Sequence, residues 1–315
     1  MSDPELVAWA ALAWGAGLGP VGFWRLVEAF GGVEAILRAS ADDLRAPALR
    51  LGSTQAVAIA GLGARLGAFA AEIERLAGRG VAVLREPDSA YPTLLRGLAD
   101  RPPVLCMIGS VLPSDEPAIA IVGTRTPSEE GRRKAAELGE AFAEHGVTVV
   151  SGLARGCDGA AHEGALEAGG RTIAVLGSGI TRIYPSEHRD LAERIAERGA
   201  VLSESPPGAS PEASRLMARN RLISALAGGT IVVEAGSRGG ALKTANEARR
   251  QGRWVYTASW AGRDQPSPGV GLLLGKGAQA IGGRGDVHEV VRQLAQGPEA
   301  GSKTVETGQS RLLDA

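Results

Sequence analysis

The sequence is poor in cysteine: Cys106 and Cys157 are its only two, far apart and without histidines clustered around either. That excludes a disulfide framework, argues against a zinc site and fits a reducing compartment. An excess of charge of either sign is also missing. Thirty-four Lys and Arg against 35 Asp and Glu leave a net charge of −1. No global basic field draws a nucleic acid to the chain, so any anion site has to be local. No stretch approaches the ~20 apolar residues of a transmembrane helix. The opening "MSDPELVAWAALAW" lacks the basic start and small-residue cleavage site of a signal peptide. A soluble, cytoplasmic protein with no membrane partner is expected. Glycine, by contrast, is abundant at 45 residues, and most of it falls where strands end and turns or ligand loops need it.

Residues 1–77 read as all helix. Apolar residues recur at helical spacing through Leu6, Trp9, Ala10, Leu12 and Ala13, and again through Phe23, Leu26, Val27 and Phe30. Between them lies "GAGLGP", 15–20. It resembles the glycine hairpin of helix-hairpin-helix modules, whose backbone N–H groups can hold a phosphate, and it equally fits a plain tight turn. From Val81 the pattern changes to short β-rich runs at 81–84, 104–109, 118–123, 147–152, 172–177, 200–204, 230–235 and 254–259. Helices such as 128–145 and 186–198 separate the central ones. Continuous apolar strands alternating with helices predict an α/β protein: a Rossmann-like, doubly wound, mostly parallel sheet whose ligands bind outside the strands' carboxyl ends. An all-helical N-terminal domain (helix-hairpin-helix or SAM-like) precedes it. The expected division is 1–77 helical, 78–297 Rossmann-like and 298–315 a polar, disordered tail.

The strand ends carry the chemistry. After 118–123 come Gly123, Thr124 and Arg125, then Pro127 near a helix start, a layout in which backbone N–H groups and a guanidinium face an anion. It is neither a dinucleotide fingerprint nor a P-loop. After 147–152, the small residues around Ser151, Gly152, Gly156 and Gly159 permit close approach, and Ser151 and Arg155 offer donors. Asp158 and His162, four residues apart, are placed to pair, and Cys157 reads as a packed helix residue. Gly177, Ser178 and Gly179 form another donor turn. Tyr184 either stacks on a base or packs in the core. Arg215, Arg219 and Arg221, with Asn220, read as an anion clamp beside strand ends that carry no matching acids. Lys243 and Thr244 open a further helix, where a lysine works against the dipole unless an anion lies there. Together these turns predict a local phosphate-lined groove on one rim of the sheet.

Over residues 5–292 the chain resembles the DNA-processing protein A (DprA/Smf) family. The most telling stretches are 80–109, "AIVGTRTP" at 120–127, 146–180, "YPSEHRDLAERIAERGAVLSESPPG" at 184–208 and "RNRLISALAGGTIVVEAGSRGGALKTANEA" at 219–248. The resemblance implies a non-enzymatic protein without cofactor or metal. It implies single-stranded DNA binding, dimerisation through the Rossmann-like domain, and delivery of incoming strands to the recombinase RecA in natural transformation. DNA contacts are implied at Arg125, at the Ser151–Gly156 turn, at Gly177–Gly179 and at Arg219, Asn220 and Arg221. The chain departs from the family pattern at several pocket positions. His188 stands for an asparagine, Leu216-Met217 for Phe-Pro, Lys243 for an apolar residue, and "SPGVGLL" at 267–273, around Gly271, lacks an asparagine. Residues after Pro298 are too few for the winged-helix domain that ends many relatives.

Two other readings share the fold. One is a nucleoside-monophosphate-hydrolysing enzyme of the cytokinin-activating (LOG) type, whose glycine-rich signature is only partly matched by Gly228, Gly229 and Glu234. The other is a sensor that binds a nucleotide in the same pocket.

Overall fold

The computed structural model describes residues 2–261 and 265–296, so the expected tail lies outside the described residues. The helical spacings of the N-terminal region become α1 (Pro4–Gly15) and α2 (Pro20–Phe30), followed by α3 (Val33–Arg38), α4 (Ser53–Ala60) and α5 (Leu66–Ala77). Gly31, at φ +78°, ends α2 in the left-handed conformation that glycine adopts without a Cβ clash. Leu12, Phe23, Leu26, Ile36, Leu44 and Ile59 bury one core among these helices. Val7 and Ala10 of α1, with Ile73 and Leu76 of α5, turn instead toward the sheet and pack with Val83, Val104 and Cys106. Apolar packing therefore runs without a break across residues 77 and 78. Arg85 fastens the same junction, its guanidinium reaching Asp3 (3.4 Å), Glu5 (2.6 Å) and Asp88 (2.9 Å).

The sheet has nine strands: β1 (Ala82–Arg85), β2 (Val104–Gly109), β3 (Ala118–Val122), β4 (Thr148–Ser151), β5 (Thr172–Val175), β6 (Ala200–Ser203), β7 (Gly229–Val232), β8 (Trp254–Ala258) and β9 (Gln279–Ile281). The first eight coincide with the apolar runs of the sequence. The ninth has only three residues, two of them exposed, and so leaves no apolar signature. Their order is β1-β2-β6-β5-β4-β3-β7-β8-β9. Strand β2 runs antiparallel to both its neighbours, and from β6 to β9 every pairing is parallel.

Helices cover both faces, which is why the central strands are apolar throughout. On one face lie α6 (Thr93–Arg96), α11 (Asn220–Ala225), α12 (Gly240–Arg250) and α13 (Pro268–Leu274). The other carries α7 (Glu129–Glu144), α8 (Cys157–Glu167), α9 (Arg189–Arg198) and α14 (Arg284–Ala295), together with α1 and α5. The remaining helix, α10 (Ala213–Ala218), leads into α11 at the rim. Helices α7 and α8 touch backbone to backbone. A Cβ on Gly164 would lie 2.0 Å from the Ala136 carbonyl, and one on Gly139 would lie 2.3 Å from that of Ala161. Among the described residues, no single helix is long and apolar enough to cross a membrane.

From β3 the chain winds outward through β4 and β5 to β6, then returns to place β7 on the other side of β3. Connections from two adjacent strands thus leave in opposite directions. A crevice opens between them at the carboxyl ends, where open α/β sheets bind their ligands.

Candidate functional site

A cleft of about 290 Å³ occupies this crevice. One wall is the end of β3, Val122 to Arg125, and the opposite wall is the turn after β7, Ala235 to Ala241. Leu216, Met217 and Ile223 of α10 and α11 add apolar surface, and Asp158 and Arg219 lie at its base. A narrow notch continues the cleft past Arg125 and Arg219 to Arg155, Tyr184 and Pro185. Gly-x-Arg recurs on the two sides of the crevice, as Gly123-Thr124-Arg125 directly after β3 and as Gly236-Ser237-Arg238 four residues past the end of β7. Both arginines are exposed, and neither has a hydrogen bond or ion-pair partner among the described residues.

The small residues of the second strand end serve the protein's own packing. A Cβ on Gly156 would lie 2.5 Å from the Thr124 carbonyl, and one on Gly123 would overlap the Cys157 side chain at 2.4 Å. The turns after β3 and β4 therefore lie backbone against backbone. Ser151 is buried and donates to the Ile121 carbonyl (2.6 Å), so its hydroxyl is not available to a ligand. The Thr124 N–H is likewise taken, by the Glu234 carbonyl (2.8 Å). Cys157 is buried as expected, and burial pushes its thiol up to about 12, far from a reactive thiolate.

Asp158 and His162 do not pair. Asp158 accepts N–H bonds from Gly152 (3.1 Å) and Gly123 (3.4 Å), and it faces the Arg219 guanidinium. His162 reaches the Thr172 hydroxyl through Nδ1 (2.7 Å), and that hydroxyl in turn donates to the Val149 carbonyl. The imidazole is therefore the donor, a neutral ring whose buried Nε2 has no partner. Burial, with the nearby His188 and Arg219 charges, pulls its pKa down to about 3. Helical spacing brought the two residues to one side of α8, and the closer sheet groups captured each of them first.

The three-arginine clamp also comes apart. Arg219 is buried at the cleft base and donates to the carbonyls of Gly152 (2.7 Å) and Val175, while its Nε has no partner. Burial lowers its pKa to about 10 against the support of Asp158. Arg221 instead turns away to Asp100 (2.8 Å) and Glu204 (2.6 Å), acids that the local sequence does not reveal. Arg215 pairs with Glu212 (2.6 Å). Asn220 does line the cleft and ties α11 to the start of α12 through the Gly240 carbonyl (3.3 Å).

Two further expected contacts are placed by the structure. In the Gly177–Gly179 turn the Gly179 N–H is taken by the Ala209 carbonyl (2.9 Å), and a Cβ on Gly177 would strike Leu216 at 2.7 Å. Lys243 is exposed on α12 outside the cleft walls, whereas Thr244 one residue on lines them. Tyr184 is partly exposed in the notch rather than in the core. His188 holds the Leu153 carbonyl through Nδ1 (3.0 Å), at a residue whose φ of +56° is strained for leucine. Arg238 was not singled out by sequence, although the repeated Gly-x-Arg pattern would have found it. No group of three or more His, Cys, Asp or Glu among the described residues is arranged to hold a metal ion.

Fold and site together define a doubly wound α/β protein with an arginine-edged cleft at the switch point of its sheet. The model of the family described as DNA recombination-mediator protein A matches residues 82–292, and the chain belongs to that family. It is 36% identical over 309 residues to a putative DNA processing protein DprA of Mycobacterium tuberculosis, covering 94% of this chain and 77% of the relative. It is 35% identical over 285 residues to the protein Smf of Synechocystis, covering 89% and 71%. The structure of DprA from Streptococcus pneumoniae superposes with a TM-score of 0.75 at 28% identity, covering 92% of this chain and 98% of that one. DprA of Helicobacter pylori, whose structure was described for its single-stranded DNA binding mode, matches with a TM-score of 0.59 at 28% identity, covering 69% and 96%.

Proposed function

We propose that the chain binds single-stranded DNA in the cleft between β3 and β7, performs no chemistry on it, and passes the strand to a RecA-type recombinase. The observation that carries this reading is the pair of exposed arginines, Arg125 and Arg238, without partners among the described residues and set on either side of the cleft. Guanidinium groups there neutralise phosphates, the partly exposed Leu216 and Met217 accept base surface, and the near-neutral remainder of the chain leaves the attraction local. The delivery step and natural transformation rest on kinship with the relatives named above. A homodimer through the sheet fits the exposed Leu272 and Leu274 on α13, which packs on β8, and the position of β9 as the edge strand among the described residues. Light scattering of the purified chain, with Leu272→Glu as the disrupting variant, tests that part.

Against turnover stands the position of Glu234, the residue an enzymatic reading needs. Its carboxylate accepts from Ser128 N–H (2.8 Å) and Ser128 hydroxyl (2.7 Å) at the start of α7, outside the cleft walls. The deciding experiment is fluorescence anisotropy with labelled oligo-dT and a duplex of equal length across a salt series. Preferential binding of the single strand, weakening steeply with salt, is expected. Salt-independent binding, or none, overturns the reading. Release of free base from nucleoside monophosphates, abolished in Glu234→Gln, would establish the enzyme instead. Tight binding of a mononucleotide, with no binding of strands, would establish the sensor.

A further inference from the structure

Among the cationic side chains along the cleft and notch, Arg155 differs from Arg125 and Arg238 in having an acid on it. Its guanidinium is ion-paired with Glu187, and the two residues come from different connections, the turn after β4 and the loop before α9. Both side chains are about half exposed, at 57% and 47%. Arg155 lines the notch that continues the cleft, beside Tyr184 and next to Arg125. A strand leaving the cleft over Arg125 therefore meets a guanidinium already occupied by a carboxylate.

Resting on the proposed function above, we infer that Glu187 is an internal competitor for the DNA backbone: its carboxylate sits where a phosphate would otherwise engage Arg155, and it sets the affinity of the notch for the strand. Carboxylate and phosphate oxygens offer the same acceptor geometry to a guanidinium fork, so one displaces the other. The pair is exposed and so individually weak, which makes the exchange with phosphate feasible. It also keeps Arg155 neutralised in the free protein, so a phosphate held off by the carboxylate keeps its own condensed counterion. The fit of the pair is reflected in both partners. Glu187 is held below the usual carboxylate range, chiefly by the Arg155 hydrogen bond, and Arg155 is raised by the same contact.

The experiment compares wild type, Glu187→Gln, Arg155→Ala, the double variant and Glu193→Gln. Glu193 is an acid of α9 that lines a separate groove and gives the same change in net charge. Binding of labelled oligo-dT is measured by anisotropy across a salt series. Glu187→Gln is expected to bind about two- to fivefold more tightly at low salt, the range of one exposed ion pair. Its log–log salt dependence should steepen by about 0.7, one additional phosphate contact on a single strand. Both effects should be absent from Glu193→Gln and should vanish when Arg155→Ala is added. If wild type binds the strand and Glu187→Gln behaves as Glu193→Gln does, or binds more weakly, the competitor role is wrong while the cleft stands. If wild type does not bind strands at all, the underlying function fails instead.

Discussion

Asp158 and Arg219 are held together by the backbone of a third residue. Gly152 donates its N–H to the Asp158 carboxylate (3.1 Å), and its carbonyl accepts from the Arg219 guanidinium (2.7 Å). A Cβ at this position would lie 2.0 Å from Arg219 Nη1 and 2.7 Å from Asp158 Oδ2. The buried charges at the cleft base are thus spaced by a residue that has to be glycine.

Gly152→Ala should therefore cost about 1–3 kcal/mol of stability, the usual penalty for overpacking a close-packed site. Arg219 has little room to yield, being buried and bonded to two carbonyls. Urea denaturation measures the loss. A stability equal to wild type would mean that the guanidinium has another resting place.

The neutral His162 predicts an acid-side dependence. Its pKa is depressed by burial from 6.5 to about 3. Between those values the unfolded chain takes up a proton that the folded chain refuses. The stabilisation is complete above pH 6.5 and is lost as pH falls toward 3. Between pH 7 and pH 5 the loss from this group should be about 2 kcal/mol. Urea midpoints at the two pH values, compared with those of His162→Leu, isolate it. The variant should be flatter with pH even if it is less stable at pH 7.

Arg85 carries the charged contacts between α1 and the first strand. Arg85→Met removes the partner of Asp3, Glu5 and Asp88 while keeping the length of the side chain. A loss of about 1 kcal/mol is expected, because the guanidinium is largely buried and hydrogen-bonded to Asp88 while Asp3 and Glu5 are half-exposed. Hydrogen exchange should accelerate first in residues 4–15, where the docking of α1 depends on it, and Gly131–Glu144 of α7 should be unaffected.

Arg238→Ala should weaken single-strand binding about as much as Arg125→Ala and flatten the salt dependence by about 0.7. Lys243→Ala, one helix turn further on and outside the cleft walls, should change binding little. Anisotropy with oligo-dT checks all three. A dominant Lys243 would move the DNA path off the cleft and onto α12.

The parts of the molecule that were legible in the sequence are those governed by local pattern. Eight strands announce themselves as short β-branched runs, and the helix over 129–144 follows from its serine cap and apolar spacing. Strand β9 does not, because two of its three residues face solvent and a parallel neighbour alone holds it. At the cleft, residues fixed by position on a strand end, such as Arg125, were readable. Those fixed by what the fold brings to them were not. Asp100 and Glu204 come from other segments to claim Arg221, Thr172 of the following strand claims His162, and Ala209 takes the Gly179 N–H. In each case the competing partner lies on another element, and only the folded chain sets the two side by side.

The shared apolar layer between α1, α5 and the first two strands bears on how this protein can be taken apart. A fragment cut at residue 78 would keep every strand yet bare Val83, Val104 and Cys106 to water along a strip that Val7, Ala10, Ile73 and Leu76 now shelter. Such a piece should be sticky. Anyone wishing to work with the α/β part alone would do better to resurface that strip than to trim at the point where helix gives way to strand.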